Sequence, residues 1–376
     1  MDTLKVKNFG PIQEANVEFG DLTLLVGPQA SGKSLFLQLI KLVADNGYIT
    51  NTLNKNSYIW NSNGEFLERY FGEGMSQIWN GETKVIADGK EFRNEDMAKL
   101  NPEPLANERE KVFYIPAQRV LTLENGWPRA FNSFGVGDPF VIKNFSEIMR
   151  LFVELGGGVI FQKEHNPLKN NKSFNDIFYS GEIELDRSTP TKRMVLKINN
   201  AKLPFMVWST GQKESMPLHL SFFHLTYPSL TLAGVKNPII IIEEPEMGLH
   251  PKAIVSVIIQ IMRFILMGYR VVVSTHSPVF LEFAWAFQLL KESNAKDDAL
   301  LDLFGLQKTS DIKKMFTGIL DKIINTYYFD NVNGQVNVMN ISSLDAGSEN
   351  VDIADWGGIS SFASRAGEIV SKNIPL

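Results

Sequence analysis

Two hydrophobic periods divide this chain. Residues 3–9 and 15–19 alternate apolar and polar side chains on either side of Gly10-Pro11, which predicts a hairpin. Residues 22–26 (LTLLV) are almost wholly apolar, as a strand covered on both faces requires, and a helix is expected from Leu35 to about Ala44. Residues 111–115 read as another buried strand. At 145–155 the apolar positions recur every three or four residues and predict a helix; residues 182–186, 193–198 and 203–208 read as strands. From 234 onward the order is strand (238–242), helix (252–267), strand (270–274), helix (278–291), an α/β alternation. Between these blocks, residues 50–110 turn polar and are expected to be inserted strands and loops, and no heptads, repeats or low-complexity tracts occur.

The first chemistry lies where strand 22–26 meets its helix. Gly27-Pro28-Gln29-Ala30-Ser31-Gly32-Lys33-Ser34-Leu35 satisfies G-x-x-x-x-G-K-[ST] at every fixed position, between a strand and a helix as that motif demands. Gly27 and Gly32 permit the tight turn that aims consecutive N–H groups at phosphate oxygens, and the helix N-terminus adds partial positive charge. Lys33 is placed to neutralise β- and γ-phosphates and the Ser34 hydroxyl to ligate Mg²⁺. The segment predicts nucleotide binding.

A second apolar strand ends in acids, Ile239-Ile240-Ile241-Ile242-Glu243-Glu244. Ligands gather at the carboxyl ends of central parallel strands, so Glu243 is expected at Mg²⁺ and Glu244 at the water attacking the γ-phosphate. Capping of a following helix is the plainer alternative. Val271-Val272-Val273-Ser274-Thr275-His276 repeats the design, with His276 placed to hydrogen-bond the γ-phosphate or that water. Taken alone, Ser209-Thr210-Gly211-Gln212 is a helix cap.

Composition narrows the classes. The 376 residues, 44% hydrophobic and 11% aromatic, can bury a substantial core in two or three domains. A formal charge of −5 argues against a broad basic surface, and the lack of cysteine excludes disulfides, thiolate metal sites and a catalytic thiol. With no signal peptide or membrane-length apolar run, a cytoplasmic, membrane-free protein is expected.

The phosphate loop, Pro116-Ala117-Gln118-Arg119, Ser209-Thr210-Gly211-Gln212, Glu243-Glu244-Pro245-Glu246-Met247-Gly248-Leu249-His250-Pro251 and Ser274-Thr275-His276-Ser277-Pro278 occur in an order that resembles an ABC-type ATPase head, within the SMC/RecF/OLD-like branch. The opening Leu4 to Ile12 and the closing Trp356 to Phe362 are also similar to such heads. The resemblance implies an α/β P-loop NTPase head with a parallel core sheet, an antiparallel N-terminal subsheet and an inserted mixed α/β lobe. It divides the chain into head residues 1–58, a polar insertion at 59–110, a core strand and Q-loop at 111–129, an inserted lobe at 130–207, and head residues 208–376. ATP and Mg²⁺ are the implied cofactors. The implied assembly is a homodimer, or a higher even-numbered oligomer, in which residues 27–35, Glu243, Glu244 and His276 of one copy face Ser209, Thr210, Gly211 and Gln212 of the other. Gln118 falls at the Q-loop, a ligand to nucleotide and Mg²⁺, with Arg119 an equal candidate.

Three residues depart from the usual pattern: Glu243 stands for an Asp, Thr210 for a Gly, and Pro217 should kink the signature helix or shift its start. No zinc hook or nuclease acid cluster is legible, so the resemblance implies the sensor or switch subunit of a bacterial antiphage or mobile-element defence system. A separately encoded effector, nuclease or toxin, would dock on 50–110 and 130–180. A RecF-like DNA repair or recombination ATPase is the alternative, with nucleic acid near Lys192, Arg193 and Lys197; a module that locks around ATP with little hydrolysis is the third reading.

Overall fold

The structure is a computed structural model that describes residues 1–97, 108–155, 177–186, 192–226, 234–345, 348 and 356. In chain order its main elements are β1 (Thr3–Phe9), β2 (Ile12–Glu18), β3 (Leu22–Val26), α1 (Lys33–Lys55), α2 (Asn63–Phe71), β4 (Trp79–Ala87), β5 (Lys90–Phe92), α3 (Asn94–Met97) and β6 (Val112–Ile115). After these come β7 (Leu123–Glu124), β8 (Trp127–Pro128), α4 (Phe140–Leu155), β9 (Glu182–Asp186), β10 (Arg193–Ile198), β11 (Ala201–Pro204), α5 (Thr210–Leu225), β12 (Ile239–Glu243) and α6 (Pro251–Leu266). The chain closes through β13 (Arg270–Ser274), α7 (Pro278–Glu292), α8 (Asp298–Leu303), α9 (Ser310–Met315), β14 (Ile324–Val332) and β15 (Gln335–Asn340).

Two compact units emerge. The first comprises Met1–Ile40, Trp79–Arg93 and Ile261–Leu376. Its strands run in the order β5-β4-β1-β2-β15-β14-β3-β13. The β1, β2, β4 and β5 pairings are antiparallel, whereas β3 is parallel to both β14 and β13. Leu22, Leu24, Leu25 and Val26 are each at most 1% exposed, which contributes on the order of 6–12 kcal/mol of hydrophobic stabilisation before chain entropy is counted. That burial fixes the strand from which the phosphate loop springs.

The second unit comprises Lys41–Ile78 and Asn94–Gln260. It pairs β6 with β12 in parallel, Ile115 opposite Ile242, and carries the antiparallel ribbon β11-β10-β9. The expected α/β class, with parallel core strands, an antiparallel N-terminal subsheet and a mixed inserted region, is what the structure shows. Among the described residues no helix is long and apolar enough to cross a membrane.

Several elements differ from the sequence expectations. Helix α1 begins at Lys33 and continues to Lys55, breaking from helical geometry only at Asp45 (φ −120°, ψ 20°). Asp45-Asn46-Gly47 looks like a stop signal. The Asp45 carboxylate instead accepts from the Lys111 and Val112 amides (2.8 and 3.0 Å) and from Lys41 Nζ (3.1 Å), so the chain is held through the break. Within the polar stretch, α2 is a helix capped by Ser62, whose hydroxyl accepts from Glu65 N at 3.2 Å while Glu65 accepts from Asn61 N at 2.7 Å. The strand expected at 203–208 ends at Pro204 and passes into a 3₁₀ turn, Phe205–Val207. Pro217 lies inside α5 without moving its start, which stays at Thr210. Of the expected docking segments, residues 98–107 and 156–176 lie outside the described residues, as does 357–362 of the closing motif.

Candidate nucleotide site

In the first unit, β3 delivers the chain to Gly27, whose φ of +142° suits glycine and whose Cα faces Phe329 on β14. A Cβ there would stand 2.6 Å from the Phe329 carbonyl oxygen. Ala30 (φ +58°) and Gly32 (φ +79°) turn the loop again before Phe36 N donates to Gly32 O at 2.9 Å and α1 begins. Lys33 is 6% exposed and folds over its own loop. Its ammonium donates to Gly27 O (2.9 Å), Pro28 O (2.7 Å) and the Ser31 hydroxyl (3.1 Å). The loop thus holds a cation at its centre. Pro28, Gln29, Ala30 and Ser34 are exposed along the rim and Leu35 is half-buried behind them.

Strand β13 lies beside β3 with Ser274 opposite Leu25, and Thr275 N donates to Leu25 O at 3.1 Å. His276 follows at once, half-buried, so the structure brings it to the same sheet edge as the phosphate loop. Ser277 N donates to Thr275 Oγ1 (3.0 Å), and Ser277 Oγ accepts from Val279 N as the cap of α7.

In the second unit the carboxyl ends of β6 and β12 lie side by side. Glu243, 5% exposed, accepts from Ala117 N at 3.1 Å, so the segment after β6 and the end of β12 share a carboxylate. Burial, reinforced by the Glu243 charge, pushes the Tyr114 phenol well above its ordinary pKa. Glu244 is half-buried with a left-handed backbone, φ +41°, an uncommon state for a side chain of its size. Gln118, one of the two Q-loop candidates, is exposed.

Its neighbour Arg119 is 0% exposed. Nε donates to Glu214 O (2.9 Å), Nη1 to Glu243 O (3.2 Å), and both terminal nitrogens to Glu244 O (3.3 Å each). Burial lowers the arginine's pKa, opposed by the charges of Glu214, Glu246, Glu244 and Glu243. In sequence Arg119 and Gln118 are equal candidates; the structure separates them, with the arginine buried and the glutamine exposed.

Ser209, Thr210, Gly211 and Gln212 form the start of α5. Ser209 Oγ accepts from Gln212 N (3.3 Å) and Gln212 Oε1 accepts from Ser209 N (3.0 Å), a reciprocal capping box. Gln212 Nε2 also donates to Ile177 O at 3.2 Å. Ser209 and Thr210 are exposed, and just before them Met206 and Val207 are 68% and 62% exposed. Gly211 is pressed onto the turn after β12: a Cβ on it would meet Gly248 O at 2.6 Å. Much of this signature, the Ser209 hydroxyl included, is therefore occupied within its own unit, and Ser209 and Thr210 are its exposed residues.

Among the described residues no three acids or histidines gather into a protein-only metal cage. The exposed Ser34 hydroxyl in the first unit and the Glu243 carboxylate in the second are each a hard oxygen donor of the kind Mg²⁺ accepts.

Residues 1–114 match the family described as "AAA ATPase domain", and residues 109–282 match "AAA domain, putative AbiEii toxin, Type IV TA system". The "Old nuclease" of Escherichia phage P2 is 30% identical over 171 residues, 40% of this chain and 28% of that protein. The chain therefore covers less than a third of that relative. A solved SmcHead bound to the C-winged helix domain of ScpA aligns over 90% of this chain and 96% of its own, at 10% identity and a TM-score of 0.42. The SMC head domain from Thermotoga maritima aligns over 90% and 98%, at 13% identity and a TM-score of 0.37. The two AAA matches together run unbroken from residue 1 to 282 and take in every motif from the phosphate loop to His276.

Proposed function

We propose that the protein binds and slowly hydrolyses ATP with Mg²⁺, and that two copies close on the nucleotide as the switch of a defence system acting on a separate effector. The observation that carries the ATPase reading is the phosphate loop itself: a buried strand, two positive-φ glycines and a buried lysine inside the loop at a helix start. In this reading the backbone of residues 27–35 and Lys33 cradle the phosphates, Ser34 and Glu243 hold Mg²⁺ with Gln118 at its edge, and Glu244 orients the attacking water. His276 hydrogen-bonds the γ-phosphate. When bound, Mg²⁺ would supply neutralisation of the phosphate charge.

Reciprocal closure follows from the signature. Ser209 and Thr210 sit exposed at a helix N-terminus, and the amides there favour an anion. A second copy's γ-phosphate meets that need, and reciprocity makes the pair two-fold symmetric. The defence role is supported by the partial likeness to the phage nuclease and by the toxin–antitoxin description of the second family.

The DNA-binding alternative loses support in the ribbon β9–β11. Lys197 and Lys202 both pair with Glu184 (3.1 and 3.0 Å), Arg193 pairs with Asp186 (2.7 Å), and Lys192 lies 3.9 Å from Glu154. The basic cluster is interleaved with acids rather than presented as a patch.

Phosphate release measured on wild type, Lys33→Ala and Glu244→Gln tests the ATPase reading. Turnover in wild type, none in either variant, and ATP retention only in Glu244→Gln are expected; equal rates in all three would overturn it. Mass analysis of what co-purifies from the native operon tests the effector.

A further inference from the structure

We infer that Arg119 is a positioning residue that ties the start of α5 to the acids ending β12, so that the signature and Glu244 move as one body. The inference rests on the ATPase reading above and adds how that site is regulated.

Three observations carry it. The guanidinium bridges two separate elements through main-chain oxygens: Glu214 O on α5 and the consecutive carbonyls of Glu243 and Glu244, with Pro116 O at 3.5 Å on its own loop. Only a planar fork with five donors spans such a set; a lysine ammonium makes a point contact. The grip falls on Glu244, whose left-handed backbone persists only where its surroundings over-determine it. A second tie joins the same two elements independently, because Gly211 on α5 packs against Gly248, the turn being closed by Met247 N donating to Glu244 O at 3.1 Å. Engagement of Ser209 by an anion thus pulls on a helix whose carbonyl shares one buried cation with Glu244. A simple core staple would have no reason to select the carbonyl of a strained acid at the end of β12.

The test uses the full chain. Wild type, Arg119→Lys and, as an independent opening of the same joint, Gly248→Ala, whose Cβ would meet Gly211 Cα at 3.3 Å, are compared for fluorescent ATP-analogue affinity, kcat, melting temperature and amide hydrogen exchange. Expected for both variants are nucleotide affinity within about 3-fold of wild type, kcat lower by on the order of 10- to 100-fold, and faster exchange rising together at 211–218 and 244–249. In the double variant the kcat losses are expected to be non-additive, since both act on one joint. Exchange that rises at one segment without the other, affinity falling in step with kcat, or losses that multiply in the double variant would overturn the inference. An inactive wild type sinks the ATPase reading instead, while the exchange comparison still decides whether Arg119 joins the two segments.

Discussion

Acid should loosen this protein through its signature helix. His219 and His224 both lie on α5, 2% and 5% exposed, and burial drives each pKa from 6.5 down to about 4. At His219 the ring N–H donation to Ser215 O (2.8 Å) opposes that trend and the Arg119 charge adds to it. Both rings are neutral when folded and accept protons when unfolded. Their contribution is therefore complete above pH 6.5 and is lost as pH falls toward 4. At pH 5 the unfolded state gains about 2 kcal/mol per ring, on the order of 4 kcal/mol in all. Glu110 and Glu214 carry the opposite sign. Burial raises their pKa values, so they stabilise the fold as pH drops and trim the total. The variant His224→Phe isolates one ring: His224 already packs among aromatic neighbours, Phe113 at 5.5 Å and Phe152 at 4.8 Å between centroids. Urea midpoints followed by near-ultraviolet dichroism from pH 7.5 to 5 should fall steeply for wild type and about half as steeply for His224→Phe. Equal slopes in the two proteins would refute the reasoning.

Three further outcomes are expected. Lys41→Met removes the cation from a buried set in which Lys41 Nζ meets Asp45 (3.1 Å), Glu110 (2.8 Å) and Val112 O (2.6 Å); stranding two carboxylates should cost about 3–5 kcal/mol in a urea titration, and no loss would show the set to be solvated. Gly27→Ala forces a Cβ to within 2.6 Å of Phe329 O at φ +142°, so a lowered melting temperature together with lost ATP affinity in calorimetry is expected, and unchanged affinity would count against the loop geometry. Met206→Asp with Val207→Asp alters two exposed side chains beside Ser209; stability should change by less than about 0.5 kcal/mol each, while ATP-driven pairing in a Glu244→Gln background, read by light scattering, should vanish.

The parts of this fold that the sequence made legible are those whose cause is local. β3, β12 and β13 are continuous apolar runs, and the phosphate loop is nine adjacent residues doing one job. What escaped depends on distant partners. β14 mixes buried Tyr327 and Phe329 with Asn325, Asp330 and Asn331, and its place against β3, Tyr327 opposite Leu25, depends on that distant partner rather than on a local apolar run. Asp45 reads as a helix stop until the amides of Lys111 and Val112 supply its partners.

Arg119 shows the same limit at the site itself. Motifs record side chains that face a ligand, since each must have a particular chemistry at a particular spacing. The atoms that receive Arg119 are main-chain carbonyls at 214, 243 and 244, and any residue type supplies those equally well. A residue that works by gripping backbone therefore leaves only half a trace in sequence, its own identity and not that of its partners. The corollary is specific to this head: exchanging Glu214 for Gln retains the carbonyl that Arg119 holds and should preserve the joint, whereas exchanging Arg119 for Lys should not.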